Sequence, residues 1–145
     1  MLCLIQFLIL NEDSIELDGL RASLDKLVHH KEKSTIKGAH LHAFIYFITI
    51  QNLSDRKVTL LGRKWILTNC DGSTTVVEGD KIVGETPTIE PGKSFSYNSY
   101  HVTHLSAEAA GSFHGYDQFD QKVHVRIKPF RLDIPNGSEF PQALS

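Results

Sequence analysis

Residues 44–50 read Phe44-Ile45-Tyr46-Phe47-Ile48-Thr49-Ile50, and residues 58–68 read Val58-Thr59-Leu60-Leu61-Gly62-Arg63-Lys64-Trp65-Ile66-Leu67-Thr68. The first stretch is apolar on both parities, as a central strand would be. The second is long and rich in β-branched and aromatic residues, and Trp65 with Leu67 sets its inward parity. Arg63 falls on that same parity. A lone guanidinium in a core is very costly, so either a bulge at Gly62 turns Arg63 outward or Arg63 sits at the rim of the core with a partner.

Working outward, turn signals recur at short spacing: Asn52-Leu53-Ser54-Asp55, Asp71-Gly72, Gly79-Asp80, Pro91-Gly92, Gly111 and Asp120-Gln121. Short strands must lie between them. Leu20, Ala22 and Leu24 alternate with polar residues and read as a half-buried first strand, with a helix over 20–30 as the alternative. Residues 29–37 (HHKEKSTIK) read as a polar connection. Further strands are expected at 74–78, at 94–102 with Phe95, Tyr97 and Ser99 on one parity, at 111–119 and at 122–132. Residues 79–84 read as a loop. The pattern predicts an all-β antiparallel sandwich of about seven or eight strands.

The chain has 145 residues, 41% of them apolar and 22% charged, with a net charge of -2. That length suits one domain with a real core. The charge gives no basic excess to steer the chain onto nucleic acid or acidic lipid. The two cysteines, Cys3 and Cys70, form no disulfide framework and suit a reducing compartment, so a cytoplasmic address is expected. Residues 1–10 (MLCLIQFLIL) are apolar, but a spanning helix needs about 20 such residues. A secretory signal wants a basic start and small residues before cleavage, whereas Asn11-Glu12-Asp13 follows here. No membrane insertion is expected. Residues 1–19 are read as an apolar then acidic extension, 20–134 as the domain and 135–145 as a tail.

Leu61-Gly62-Arg63-Lys64-Trp65-Ile66-Leu67-Thr68-Asn69 resembles the Arg-x-Trp strand of the ApaG family. Further blocks agree in the same order: Phe47-Ile48-Thr49-Ile50-Gln51-Asn52, the loop from Val77 to Pro87, Pro91-Gly92-Lys93-Ser94-Phe95-Ser96-Tyr97-Asn98-Ser99, Gly111-Ser112-Phe113-His114-Gly115, and the strand from Val125 to Leu132. The resemblance runs from about Leu20 to Ile134. It implies an immunoglobulin/fibronectin type III-like β sandwich that acts as a recognition module, as in the F-box and polymerase-interacting proteins that carry such a domain. It also implies a bacterial setting with links to magnesium and cobalt efflux and to a neighbouring diadenosine tetraphosphate hydrolase gene. None of these links defines a molecular activity. The family's Gly-x-Gly-x-x-Gly loop has Lys81 at its middle position here, leaving Gly79 and Gly84. Phe113 replaces a Met, Asp117 stands where an aromatic is usual, and the family's Ile-Pro-x-Phe reads Ile127-Lys128-Pro129-Phe130.

Three constellations are candidates for chemistry. The 79–84 loop is the alternative site for a nucleotide or pyrophosphate, but it lies between strands, no helical pattern follows, and the middle glycine is absent. Eight histidines include the pair His40 and His42, which on a strand would share a face and offer a weak metal site. Solvated or hydrogen-bonded imidazoles are the simpler reading. Arg63 is either a tie to a carboxylate or to carbonyls, or part of a recognition patch. No nucleophile elbow or catalytic set occurs, so no enzyme and no cofactor is expected. The sequence therefore predicts a noncatalytic module that binds a protein partner or small effector, with a homodimer as one form of partnering. Its expected binding residues are Arg63, Gly79, Lys81, Gly84, Glu85, Pro87, Tyr97 and Ser99.

Overall fold

The computed structural model describes residues 13–32 and 41–135. Nine strands occur: β1 (Ile15–Glu16), β2 (Leu20–Glu32), β3 (Leu41–Asn52), β4 (Val58–Asn69), β5 (Thr74–Asp80), β6 (Thr88–Ile89), β7 (Ser94–Thr103), β8 (Ala107–Asp117) and β9 (Lys122–Leu132). No α-helix is present among the described residues. The hydrogen-bonded order is β5-β4-β8-β9-β2-β3-β7, with β1 paired to β9 and β6 paired to β4.

Several expectations need correction. The helix alternative for 20–30 is overturned, because β2 pairs with β3 from Leu20↔Asn52 to Glu32↔Leu41. The helix-like step from Leu24 to Leu27 comes from a register shift between Leu24 and Lys26, which adds one residue and returns Leu27 to the inner face. His29 to Glu32 therefore belong to the strand rather than to a connection, while residues 33–37 lie outside the described ones. The expected loop at 79–84 gives up Gly79 and Asp80 to β5, and β8 starts at Ala107 rather than Gly111. The expected apolar extension at residues 1–10, Cys3, His40 and most of the C-terminal tail also lie outside the described residues. Asp13, Ile15–Glu16 and Leu17 do join the fold: Lys122 lies 3.9 Å from Asp13, β1 lies parallel to β9, and Leu17 is buried.

The sheet does not stay flat. β2 and β9 meet through one backbone pair, Ala22↔Ile127. On either side of that seam the path curls so that inner faces meet. Tyr46 of β3 packs on Trp65 of β4 with ring centroids 5.0 Å apart, and Tyr97 of β7 meets Phe113 of β8 edge-on at 6.0 Å. Ile48, Ile50, Val58, Leu60, Ile82, Ile89, Phe113, Val123, Val125 and Leu132 fill the space between. The indole of Trp65 lies directly over Gly111, where a Cβ would come within 2.5 Å of the ring. That contact requires glycine.

One end of this interior is closed by polar side chains with full sets of partners. The buried Asn52 amide donates to the carbonyls of Arg56 (2.6 Å) and Ile89 (2.8 Å), and its oxygen accepts from the amide and hydroxyl of Ser54. Beside it Asp117 accepts from Arg56 at 3.0 Å and from the amides of Phe119 and Gln121. Burial works to raise the Asp117 carboxyl, but those amides and the guanidinium outweigh it and hold it below the usual carboxylate range. The departure at position 117 is thus a structural cap on the β8–β9 turn.

Candidate functional site: the Arg63 corner

The bulge expected near Gly62 is present: the β4–β8 register shifts between Leu60 and Gly62. It switches the buried parity from Val58 and Leu60 to Trp65 and Leu67. Arg63 is left half-buried at the rim on the Trp65 parity, so both sequence readings hold in part. Its Nη1 donates to the carbonyls of Asp80 and Lys81, each at 2.9 Å. Gly79 lies alongside, where a Cβ would sit 3.1 Å from Nη1. Arg63 is therefore a tie between β4 and the turn that follows β5, made to carbonyls rather than to a carboxylate.

That turn is a tight hairpin of its own. Ile82 and Glu85 exchange backbone hydrogen bonds of 2.7 and 3.1 Å, with Val83 and Gly84 between them at φ 49° and 80°. Two successive positive φ values are those of a type I′ turn. Ile82 plugs into the core at no exposure, and the Lys81 amide donates to Leu61 at 2.6 Å. The amides of Lys81, Ile82 and Glu85 are thus committed within the protein. Gly84 has open space where a side chain would begin, and the side chains of Lys81, Val83 and Glu85 are exposed. Pro87 accepts from the Leu60 amide, which fixes the exit of the loop.

Tyr97 and Ser99 reach the same corner from β7. Ser99 lies directly across from Tyr46 in the β3–β7 pairing. Burial pushes both phenols upward, Tyr97 the further, and the Arg63 charge acts on both in the opposite sense. The structure therefore gathers Arg63, Gly79, the Lys81 backbone, Tyr97 and Ser99. It leaves the side chains of Lys81 and Glu85 at the surface, apart from the Tyr97 group. Tyr46 and His101, which the sequence did not assign to this corner, complete the cluster. His101 packs on Tyr46 at 4.7 Å and on Trp65 at 4.9 Å, and burial lowers its pKa to about 4. Its position on the same parity as Phe95, Tyr97 and Ser99 was the available signal.

The histidine pair lies elsewhere. His42 is buried and shares a 2.7 Å hydrogen bond with His29 of β2. Among the described residues no group of three or more His, Cys, Asp or Glu is placed to hold a metal ion.

These features define a small all-β domain whose β4–β5 corner is locked by an arginine onto a plugged hairpin. A family described as the ApaG domain matches residues 32–121. The chain is 41% identical over 114 residues to Protein ApaG of Deinococcus radiodurans, covering 77% of this chain and 88% of that one. It is 41% identical over 96 residues to Protein ApaG of Vibrio cholerae, covering 64% and 75%. A structural-genomics target solved by X-ray crystallography superimposes with a TM-score of 0.71 at 30% identity over 83% of this chain and 90% of that one. A crystal structure of a Bordetella pertussis protein, 21% identical, shares the fold with a TM-score of 0.67 over 84% and 98%. The chain belongs to the ApaG family.

Proposed function

We propose that this ApaG-family domain is a noncatalytic recognition module that engages a protein partner at the corner built from β5 and the 81–85 hairpin. The observation that carries the reading is the exposure of all seven β5 residues, among them Val76 and Val77, beside an apolar hairpin tip at Val83. β5 ends the sheet path, so its outer edge is available for strand addition. The Arg63 tie and the Ile82 plug hold Val83 in place before any partner arrives, which lowers the cost of ordering it on binding. Lys81 and Glu85 flank the tip and supply charges of both signs for specificity.

The same reading takes the curl at the β2–β9 seam as a fibronectin type III-like sandwich of two facing layers, with the domain reaching back to about residue 14. It places the domain in the cytoplasm, in keeping with Cys70 being an exposed residue in no disulfide. A link with cobalt or magnesium homeostasis then runs through the partner. A nucleotide or pyrophosphate at 79–84 is the rival ligand, and it has fewer free loop amides to use, since those of Lys81 and Ile82 donate inside the protein.

Affinity capture from the native cell tests this with wild type, a Val76→Lys/Val83→Glu variant and a Lys81→Ala/Glu85→Ala variant. Loss of one shared partner from both variants is expected. Identical partner sets across all three would overturn the reading. Shifts of the 79–84 amides with diadenosine polyphosphate, without partner loss, would favour the rival.

A further inference from the structure

The sheet path has a second end, and its edge is of a different kind. β7 runs for ten residues, Ser94-Phe95-Ser96-Tyr97-Asn98-Ser99-Tyr100-His101-Val102-Thr103. It carries no Asp, Glu, Lys, Arg, Pro or Gly. Its pairing with β3 is continuous from His42↔Thr103 to Gln51↔Ser94, without a register shift. Among the described residues no strand lies on its other side. Natural edge strands are blunted by charge, proline, bulges or shortness, and β7 uses none of these. Tyr100, 63% exposed, and Val102 project from its outer face.

We propose that β7 is a dimerisation edge, pairing antiparallel with β7 of a second copy of this chain about a two-fold axis at Asn98. In that register Asn98 faces Asn98, Ser96 faces Tyr100 and Ser94 faces Val102 on the outer side. Tyr97 faces Ser99 on the inner side. Phe95 faces His101 there too, so large side chains meet small ones at the two tyrosines, rings meet at the ends of the inner row, and no like charges are brought together. The only titratable imidazole on the strand, His101, is buried and held neutral at physiological pH by that burial. β5 lacks these properties, since it carries Glu78 and Asp80, charges of the kind that blunt an edge.

A hydroxyl relay prepares the edge. Thr49 donates to Asp25, so its oxygen must accept from Ser96, 2.8 Å away. The Ser96 oxygen keeps lone pairs to accept from a donor across the seam, and Tyr100 of the copy carries one in the facing position. A second copy suits this edge better than a free peptide, because one two-fold contact satisfies two identical unpaired edges.

Sedimentation velocity over about 1 µM to 1 mM spans the affinities of weak and standard interfaces. Wild type is expected to pass from monomer to dimer within that range. Asn98→Lys, which sets two ammonium groups against each other on the axis, is expected to stay monomeric with an unchanged circular dichroism spectrum. Val76→Lys on β5 is expected to dimerise as wild type does, which separates this inference from the partner reading. In wild type alone, amide exchange in β7 is expected to speed up on dilution while that of β4 and β8 does not. A wild type that is monomeric throughout, a folded Asn98→Lys dimer, or β7 exchange independent of concentration would each overturn the proposal.

Discussion

The two ends of the buried interior are built on opposite rules. Around Asn52 the apolar side chains are aliphatic, namely Ile48, Ile50, Val58 and Leu60, and the polar groups that close that end have partners at each donor and acceptor described for them. Around Trp65 the interior is aromatic, with Tyr46, His101 and Phe130 against the indole. There Trp65 Nε1, Tyr97 Oη and His101 Nε2 are buried with no hydrogen-bond partner among the described residues. The contrast teaches which chemistry each end depends on. At the Asn52 end a polar side chain holds loops together, and at the Trp65 end ring packing carries the stability against the desolvation cost of the unpaired polar atoms.

The largest effect expected from this comparison is at Trp65. Trp65→Ala removes the ring that spans both inner faces and should cost about 3–5 kcal/mol in urea unfolding, the range for deleting a large aromatic side chain. A loss under about 1 kcal/mol would mean that the aromatic end is not the keystone.

Acid should expose the same end next. An unfolded imidazole titrates near its ordinary 6.5, whereas folded His101 does so at about 4. The unfolded chain therefore takes up the proton first. Stability is fully present above pH 6.5 and falls as pH drops toward 4, by up to about 3 kcal/mol at 1.36 kcal/mol per pH unit. Chemical denaturation at a series of pH values measures the slope.

Asn52→Ala should cost about 2–3 kcal/mol, since it removes a donor from the buried Ile89 carbonyl and the acceptor of the Ser54 amide and hydroxyl, leaving the Arg56 carbonyl with the Ser54 hydroxyl at 3.2 Å. Proteolysis or amide exchange should show loosening at 53–57 and 89–93 ahead of the rest. The smallest change sharpens the contrast most. His101→Phe replaces an unpartnered imidazole by a ring of similar shape, so neutral-pH stability should stay within about 1 kcal/mol of wild type. Its stability between pH 6.5 and 4 should flatten, and persistence of the wild-type slope would assign the acid sensitivity to another group.

Much of this was legible in the chain. The alternation of β7, the doubly apolar β3 and the parity conflict at Arg63 each pointed to the structure that forms, down to the bulge beside Gly62. The extent of β2 was not legible, because the Asp25 bulge breaks the period and the later residues pair outer faces with charged side chains. The Asn52 closure was hidden for a different reason. Its partners stand far along the chain, with 37 residues separating Asn52 from Ile89 and 61 separating Arg56 from Asp117. Local pattern carries no trace of such contacts. For the candidate site, Arg63, Tyr97 and Ser99 emerged from the sequence, whereas the plug at Ile82 did not, since a single apolar residue in a polar loop has no period to betray it.

The seam at Ala22↔Ile127 has a mechanical consequence. β1 and the start of β2 run parallel to β9, so tension applied between Asp13 and Pro135 pulls these strands lengthwise past each other. Hydrogen bonds loaded in that direction share the force and rupture together rather than one after another. The three backbone pairs at 15, 16 and 22 would then act as a short shear clamp. A chain tethered at both ends would hold its shape under load until that clamp slips, and then give way at once.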